Sequence, residues 1–313
     1  MKNIKNIHFL VLGRAGLDLY ADPPGTRMEE ALAFSSALGG SAANIAVAIS
    51  KLGGLASLVS CVSDDAVGQF VLNQLKHYNV GAEHMHVVAG EERTSLAVVE
   101  TRAENCQSVI YRNGASDFQL SVDHIRKIEF ERYGALIVTG TSLAVEPSRS
   151  ATLLAMKLAG EAGLPVIIDV DYRPYSWASA SDASQVYLNA AAMCDVIIGN
   201  DVEFGVMGEG LALAHKLSKS TDVVVYKMGE KGSITFGSGK EFETEIYPVT
   251  ALKPTGAGDA FMGAFITSWA EGIDIQTCVK RGSAAAAIVV TKVGCAPAMP
   301  NEQELEQFMK DHA

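Results

Sequence analysis

The run KPTGAGDAFMGAFI, from Lys253 to Ile266, sets three small residues and a carboxylate at the start of an apolar segment of helix length. Gly256, Ala257 and Gly258 remove side-chain bulk where the first backbone N–H groups of a helix lack partners. Such groups, reinforced by the helix dipole, make an anion site. Asp259 is out of place beside a resting anion, but it fits a site where a hydroxyl loses its proton while attacking a phosphoryl group. The same residues also read as a tight turn with a capping aspartate, and the run alone does not choose. Lys253 adds a fixed positive charge just before the turn.

Other residues have types suited to the same chemistry. GNDVEFGVM carries Asn200 and Glu203, three apart and so on one face of a helix start. Amide and carboxylate groups suit Mg²⁺, which prefers oxygen ligands and keeps several waters. Alone, the pair reads as a helix cap with a solvated glutamate. Arg14, Arg112 and Arg173 each follow a strand-like run. A single arginine reads as a solvated surface residue. Three placed to converge imply an anionic substrate, because guanidinium grips a carboxylate in a forked geometry.

The elements that must position these residues follow one rhythm. IHFLVLG, ASLVSCV, ALIVTG, PVIIDVD, DVIIGN and DVVVYKMG are apolar throughout, as strands buried on both faces of a parallel sheet require. Helix-length segments alternate with them, among them SAANIAVAISKLGG and SRSATLLAMKLAGEAGLP, the latter closed by Gly163 and Pro165. The expectation is an α/β fold with a doubly wound, mostly parallel sheet. Residues 18–40 and 92–117 break the rhythm, and the second region alternates polar and apolar residues as one-sided antiparallel strands do. We expect one domain over residues 1–313, with a small β lid from about 14–40 and 92–117 over the sheet's carboxyl edge.

Bulk properties narrow the function classes. The chain has 313 residues, 48% hydrophobic and 19% charged, enough for a sizeable core. A net charge of −11 argues against a nucleic-acid or anionic-membrane surface, yet leaves room for a locally held phosphate. Five scattered cysteines without a CxxC pair indicate neither a disulfide framework nor a zinc site. Phe9–Leu12 is too short for a signal peptide and Ala284–Val290 too short for a membrane span. The expectation is a reduced, cytoplasmic protein.

The chain resembles the ribokinase/PfkB family of carbohydrate kinases over nearly its whole length. One signature matches at Thr255-Gly256-Ala257-Gly258-Asp259 and on through Gly263, Ala264 and Phe265, the other at Gly39-Gly40-Ser41-Ala42-Ala43-Asn44 and SDDAVGQF. The resemblance implies ATP and Mg²⁺ as cofactors and Asp259 as the general base, with the amides of Gly256 to Gly258 on the transferring phosphate. It assigns Asn200 and Glu203 to the magnesium and phosphates, partly through water. Thr255, Lys227, Gly229 and Gly232 fall on the nucleotide side, and Ser283–Ala287 resembles the adenine wall. Asp18, Asn44 and the backbone of Gly39 and Gly40 form the sugar cup. DVDYRPYSW and VIYRNGASD resemble branches acting on keto-deoxy sugar acids.

Many members place an acidic residue at Lys253 to bind a monovalent cation. Lys253 cannot ligate one, so it either supplies the charge itself or points to solvent. A homodimer through the lids is expected, because a one-sided flap needs cover and the family commonly forms one. Three rivals stay open: a kinase of an isomeric keto-deoxy sugar acid, a neutral-sugar or nucleoside kinase, and a non-catalytic sugar- or nucleotide-binding regulator.

Overall fold

Phe9 and Val11 of the first strand enter one hydrophobic core, and Leu10 and Leu12 enter a second on the opposite face of the sheet. That division is why the strand runs are apolar without alternation. The computed structural model describes residues 2, 4–102 and 104–312, so Ala103, in the second lid segment, lies outside the described residues.

The strands are β1 (His8–Leu12), β2 (Gly16–Asp22), β3 (Ala33–Gly39), β4 (Leu55–Ser63), β5 (Gly81–Val88), β6 (Ser95–Val99) and β7 (Ser108–Tyr111). They continue as β8 (Ala135–Thr139), β9 (Val166–Asp169), β10 (Val196–Asn200), β11 (Val223–Lys227), β12 (Ser233–Gly237) and β13 (Lys240–Thr244). Nine of them form one sheet in the order β13-β12-β11-β10-β9-β8-β1-β4-β5. All its pairs are parallel except β11–β12 and β12–β13. Helices cover both faces, giving a doubly wound α/β fold.

The other four strands form a separate sheet in the order β3-β2-β6-β7. Each region that breaks the helical rhythm makes an antiparallel hairpin, the pairing that alternation indicated for the second. The two hairpins meet through a parallel pair, β2 with β6, which the alternation did not indicate. The chain passes through the main sheet between them, and such a long excursion is what a parallel pairing needs.

Two edge strands were not expected. β5 is half-polar and β13 carries Lys240, Glu241 and Glu243 on an open edge. Polar edge strands guard against further pairing and lose the apolar signature of a buried strand. Among the described residues no helix is long and apolar enough to cross a membrane. All five cysteines are free.

Candidate active site

A cavity of about 1030 Å³ opens at the carboxyl ends of the main strands, with Ala97, Val99 and Ile110 of the small sheet on its lid side. Strand ends bring chemistry to one edge: Arg14 follows β1, while Asp169, Asn200 and Lys227 end β9, β10 and β11. In register, Asn200 sits beside Lys227. This is where open α/β sheets bind ligands.

The glycine turn caps the helix Ala257–Ala270. Gly256 is its N-cap residue, at φ 87°, and a Cβ there would lie 2.9 Å from Cys295 Sγ. The left-handed backbone and the crowding both demand glycine. Asp259 follows in the first turn, and its Oδ2 accepts a 2.9 Å bond from Asn44 Nδ2. Burial pushes the Asp259 carboxyl up to about 7, helped by the charge of Asp171 and opposed by the Asn44 bond, Arg173 and Arg14. A carboxylate that gains and loses a proton near neutrality suits general-base work.

Three further carboxyls stand around Asp259. Burial raises Asp169 most, with Lys227 opposing and Glu203, Asp171 and Asp259 adding to the rise. Burial likewise raises Glu203. Both Glu203 oxygens are occupied: Oε2 accepts from Asn200 N at 2.7 Å and Oε1 from Tyr172 N at 3.2 Å. Glu203 is therefore a buried capping residue rather than a solvated one. Among the described residues no group of three or more His, Cys, Asp or Glu side chains is placed to ligate a metal directly, so these desolvated carboxyls suit a divalent cation only where it keeps most of its waters. Lys227 Nζ lies 3.4 Å from where a Cβ on Gly258 would stand, so its ammonium reaches the start of the helix.

Thr255 to Asp259, Gly229 and Gly232 line the cavity, as do Ser283, Ala286 and Ala287 of the helix Ile275–Val290.

On the lid side Asp18 Oδ2 accepts from the Tyr20 hydroxyl at 3.1 Å, while Oδ1 is buried with no hydrogen-bond partner. Gly40 and Asn44 also line the cavity. Gly39 does not. It stands behind Asp18, where a Cβ would come within 1.9 Å of Oδ1, so its smallness makes room for the carboxylate.

All three arginines line the cavity. Arg112 forms a buried ion pair with Asp117, donates from Nη1 to the Thr141 carbonyl at 3.1 Å and lies over the Phe118 ring. Arg173 pairs with Asp171 at 2.7 Å. Arg14 donates from Nη1 to Ser95 Oγ at 3.2 Å and, among the described residues, forms no ion pair. The guanidinium groups converge, but two arrive already neutralised.

Lys253 does not point to solvent. Its side chain is fully buried beneath the turn, and Nζ donates to the carbonyls of Thr255 at 2.5 Å and Val289 at 3.4 Å.

Tyr20 and Cys295 line the cavity without having been singled out from the sequence, as do Asp169 and Asp171, which were read only as part of DVDYRPYSW. Tyr20 was legible in principle, since it lies two residues from Asp18 on one strand and so on the same face. Cys295 carried no local signal.

A doubly wound sheet with a β lid, holding a half-buried carboxyl at a glycine-opened helix start, is the architecture of a small-molecule kinase. The chain belongs to the pfkB family of carbohydrate kinases, whose model matches residues 6–302. A 5-dehydro-2-deoxygluconokinase of Photobacterium profundum is 42% identical over 311 residues, covering 96% of this chain and 94% of that protein. A fructokinase of Xylella fastidiosa solved with bound ATP superposes with a TM-score of 0.86 at 21% identity, over 98% of this chain and 99% of the other. A Vibrio cholerae fructokinase double mutant, solved with fructose, ADP and a potassium ion, gives 0.84 at 25% identity over 98% and 99%.

Proposed function

We propose that this kinase transfers the γ-phosphoryl group of Mg·ATP to the primary hydroxyl of 5-dehydro-2-deoxy-D-gluconate, giving the 6-phosphate. The observation that carries the reading is a single cavity holding Asp259 together with Asp18 and three guanidinium groups. The 42% identical relative bears the name of that activity. Asp259 orients the hydroxyl and takes its proton. The N–H groups of Gly256 to Gly258 and the Lys227 ammonium meet charge that builds on the phosphoryl oxygens, where positioning and electrostatics dominate. Asn200, whose Oδ1 accepts from Glu203 N, and Glu203 would both hold Mg²⁺ through water, and the ion would neutralise phosphate charge when bound. Asp18 and Asn44 take sugar hydroxyls, and Arg14 takes the substrate carboxylate with Arg112 and Arg173 shaping its surroundings. Thr255, Gly229 and Gly232 belong to the nucleotide side.

The test is ADP release with Mg·ATP against 5-dehydro-2-deoxygluconate, 2-dehydro-3-deoxygluconate, fructose, ribose and adenosine. Preference for the first supports the reading. Preference for the isomeric acid keeps the carboxylate site and changes the substrate, and preference for a neutral sugar removes the carboxylate site.

Three further assignments belong to the same reading. The buried Lys253 ammonium supplies the positive charge that a potassium ion would otherwise bring to the turn. The whole chain acts as one domain with a lid, in the cytoplasm, where five free thiols stay reduced. Two copies pair through the outer lid faces, where Phe34, Val109 and Tyr111 stand 42%, 40% and 59% exposed, and sedimentation velocity would read the dimer directly.

A further inference from the structure

Tyr20 lies two residues beyond Asp18 on β2, so both side chains share the lid face that looks into the cavity. It is only 1% exposed. Its hydroxyl stands 3.1 Å from Asp18 Oδ2 and 3.2 Å from Cys295 Sγ, and so is shared between the lid and a loop 275 residues away in sequence. Cys295 in turn packs against the phosphoryl turn, since its sulfur lies 2.9 Å from where a Cβ on Gly256 would stand. A continuous line of contact thus runs from Asp18 through Tyr20 and Cys295 to Gly256. Burial and the neighbouring Asp18 hold the Tyr20 hydroxyl well above its ordinary pKa, so it keeps its proton and remains a donor.

We propose that Tyr20 is a positioning residue for the sugar: its hydroxyl fixes the Asp18 carboxylate and seats the lid on the loop that backs the phosphoryl turn. The proposal rests on the reading of Asp18 as the group that receives sugar hydroxyls. With Oδ2 held by Tyr20, the unpartnered Oδ1 is left to accept from substrate. Without that bond the buried carboxylate turns towards Arg14, the charged group that most favours its ionised form. The bond to Asp18 acts on the sugar side of the cavity, so the sugar responds before the nucleotide.

The experiment is steady-state kinetics with Mg·ATP and 5-dehydro-2-deoxygluconate for the wild type, Tyr20→Phe, Cys295→Ala and Asp18→Asn, with thermal unfolding of each. Tyr20→Phe removes one bond to a charged group, so the sugar KM rises about tenfold while the ATP KM stays within about twofold. Cys295→Ala reads the same link from its other end with the tyrosine in place, and raises the sugar KM by a smaller factor. Two results overturn the proposal alone: Tyr20→Phe leaves the sugar KM unmoved although Asp18→Asn raises it, or both KM values rise together, as loosened packing would produce. If Asp18→Asn leaves the sugar KM unchanged, the reading of Asp18 fails and the proposal falls with it.

Discussion

Asn44 donates from Nδ2 to Asp259 Oδ2 at 2.9 Å, joining the two glycine-bearing motifs across 215 positions of sequence. The bond favours the ionised carboxylate and works against the burial and the Asp171 charge that push Asp259 up to about 7. If Asp259 is the base, turnover rises with pH through about 7 in the wild type. Asn44→Ala moves that limb to higher pH, and Asp171→Asn moves it lower. A pH profile of kcat decides, and shifts of the opposite sign would count against the assignment.

Asp259→Asn separates function from stability. Turnover falls by roughly 10²–10⁴ or more, with ATP affinity changed only a few-fold. The linkage sign is set by a folded pKa of about 7 above the ordinary 3.8. Between those values the folded state holds more protons than the unfolded one, so stability is lost as pH rises through the window and the full cost is present above it. The asparagine variant is therefore more stable than the wild type at pH 8, and the difference in Tm shrinks towards pH 4. An active variant, or one equally stable at both pH values, would contradict the role or the burial cost.

The main sheet was legible because its strands are buried on both faces, so each apolar run marks itself. The glycine turn was legible because the left-handed backbone at Gly256 is a local requirement of one helix start. What escaped depends on tertiary placement. Lys253 reads in sequence either as an internal charge or as a surface lysine, and only packing beneath the helix Ile275–Val290 decides for burial. Arg112 and Arg173 read as free cations although Asp117 and Asp171 lie close by in sequence, because spacing alone does not show which side chains meet. Asp169 ends an apolar strand, and its environment is assembled from β10, β11 and the glycine turn, each far away in sequence.

The two lid-side arginines make a contrasting pair. Arg14 forms no ion pair among the described residues and lies beside Asp18, so Arg14→Ala raises the sugar KM at least tenfold with little change in Tm. Arg112→Ala strands the buried Asp117 and removes a tie to Thr141, which costs about 3–5 kcal/mol of stability. Kinetics and thermal unfolding of both variants separate these outcomes. A large Tm loss for Arg14→Ala would reverse the assignment.

A histidine cluster lies away from the cavity. His8 and His84 flank Tyr133, and the rings of His86 and His124 stack with centroids 3.8 Å apart. Burial lowers all four, His86 to about 4 with the adjacent His124 and Lys127 adding to the effect. Because the folded values lie below the ordinary 6.5, the unfolded chain takes up protons first, and stability falls as pH drops from about 6.5 towards 4. Denaturant midpoints across that range record the loss, and His86→Gln reduces the slope. An unchanged slope would show that His86 is not the group responsible.

Lys253 gives the prediction with the most direct physical chain. Two carbonyl oxygens, of Thr255 and Val289, accept from its ammonium beneath the phosphoryl turn. An uncompensated buried charge costs several kcal/mol, so the carbonyls and the nearby Asp259 and Asp18 must be what retains it. The cation is therefore covalently part of the chain, and its local concentration does not depend on the medium. Turnover in potassium chloride and in tetramethylammonium chloride of equal ionic strength then agrees within about twofold. Lys253→Ala leaves the two carbonyls facing a small space, so its turnover falls at least tenfold and recovers in part with potassium but not with the organic cation. Burial also lowers the Lys253 pKa, so the wild type loses turnover on the alkaline side, and the alanine variant lacks that limb. Strong stimulation of the wild type by potassium would mean that a second cation site operates and that the ammonium does not replace it.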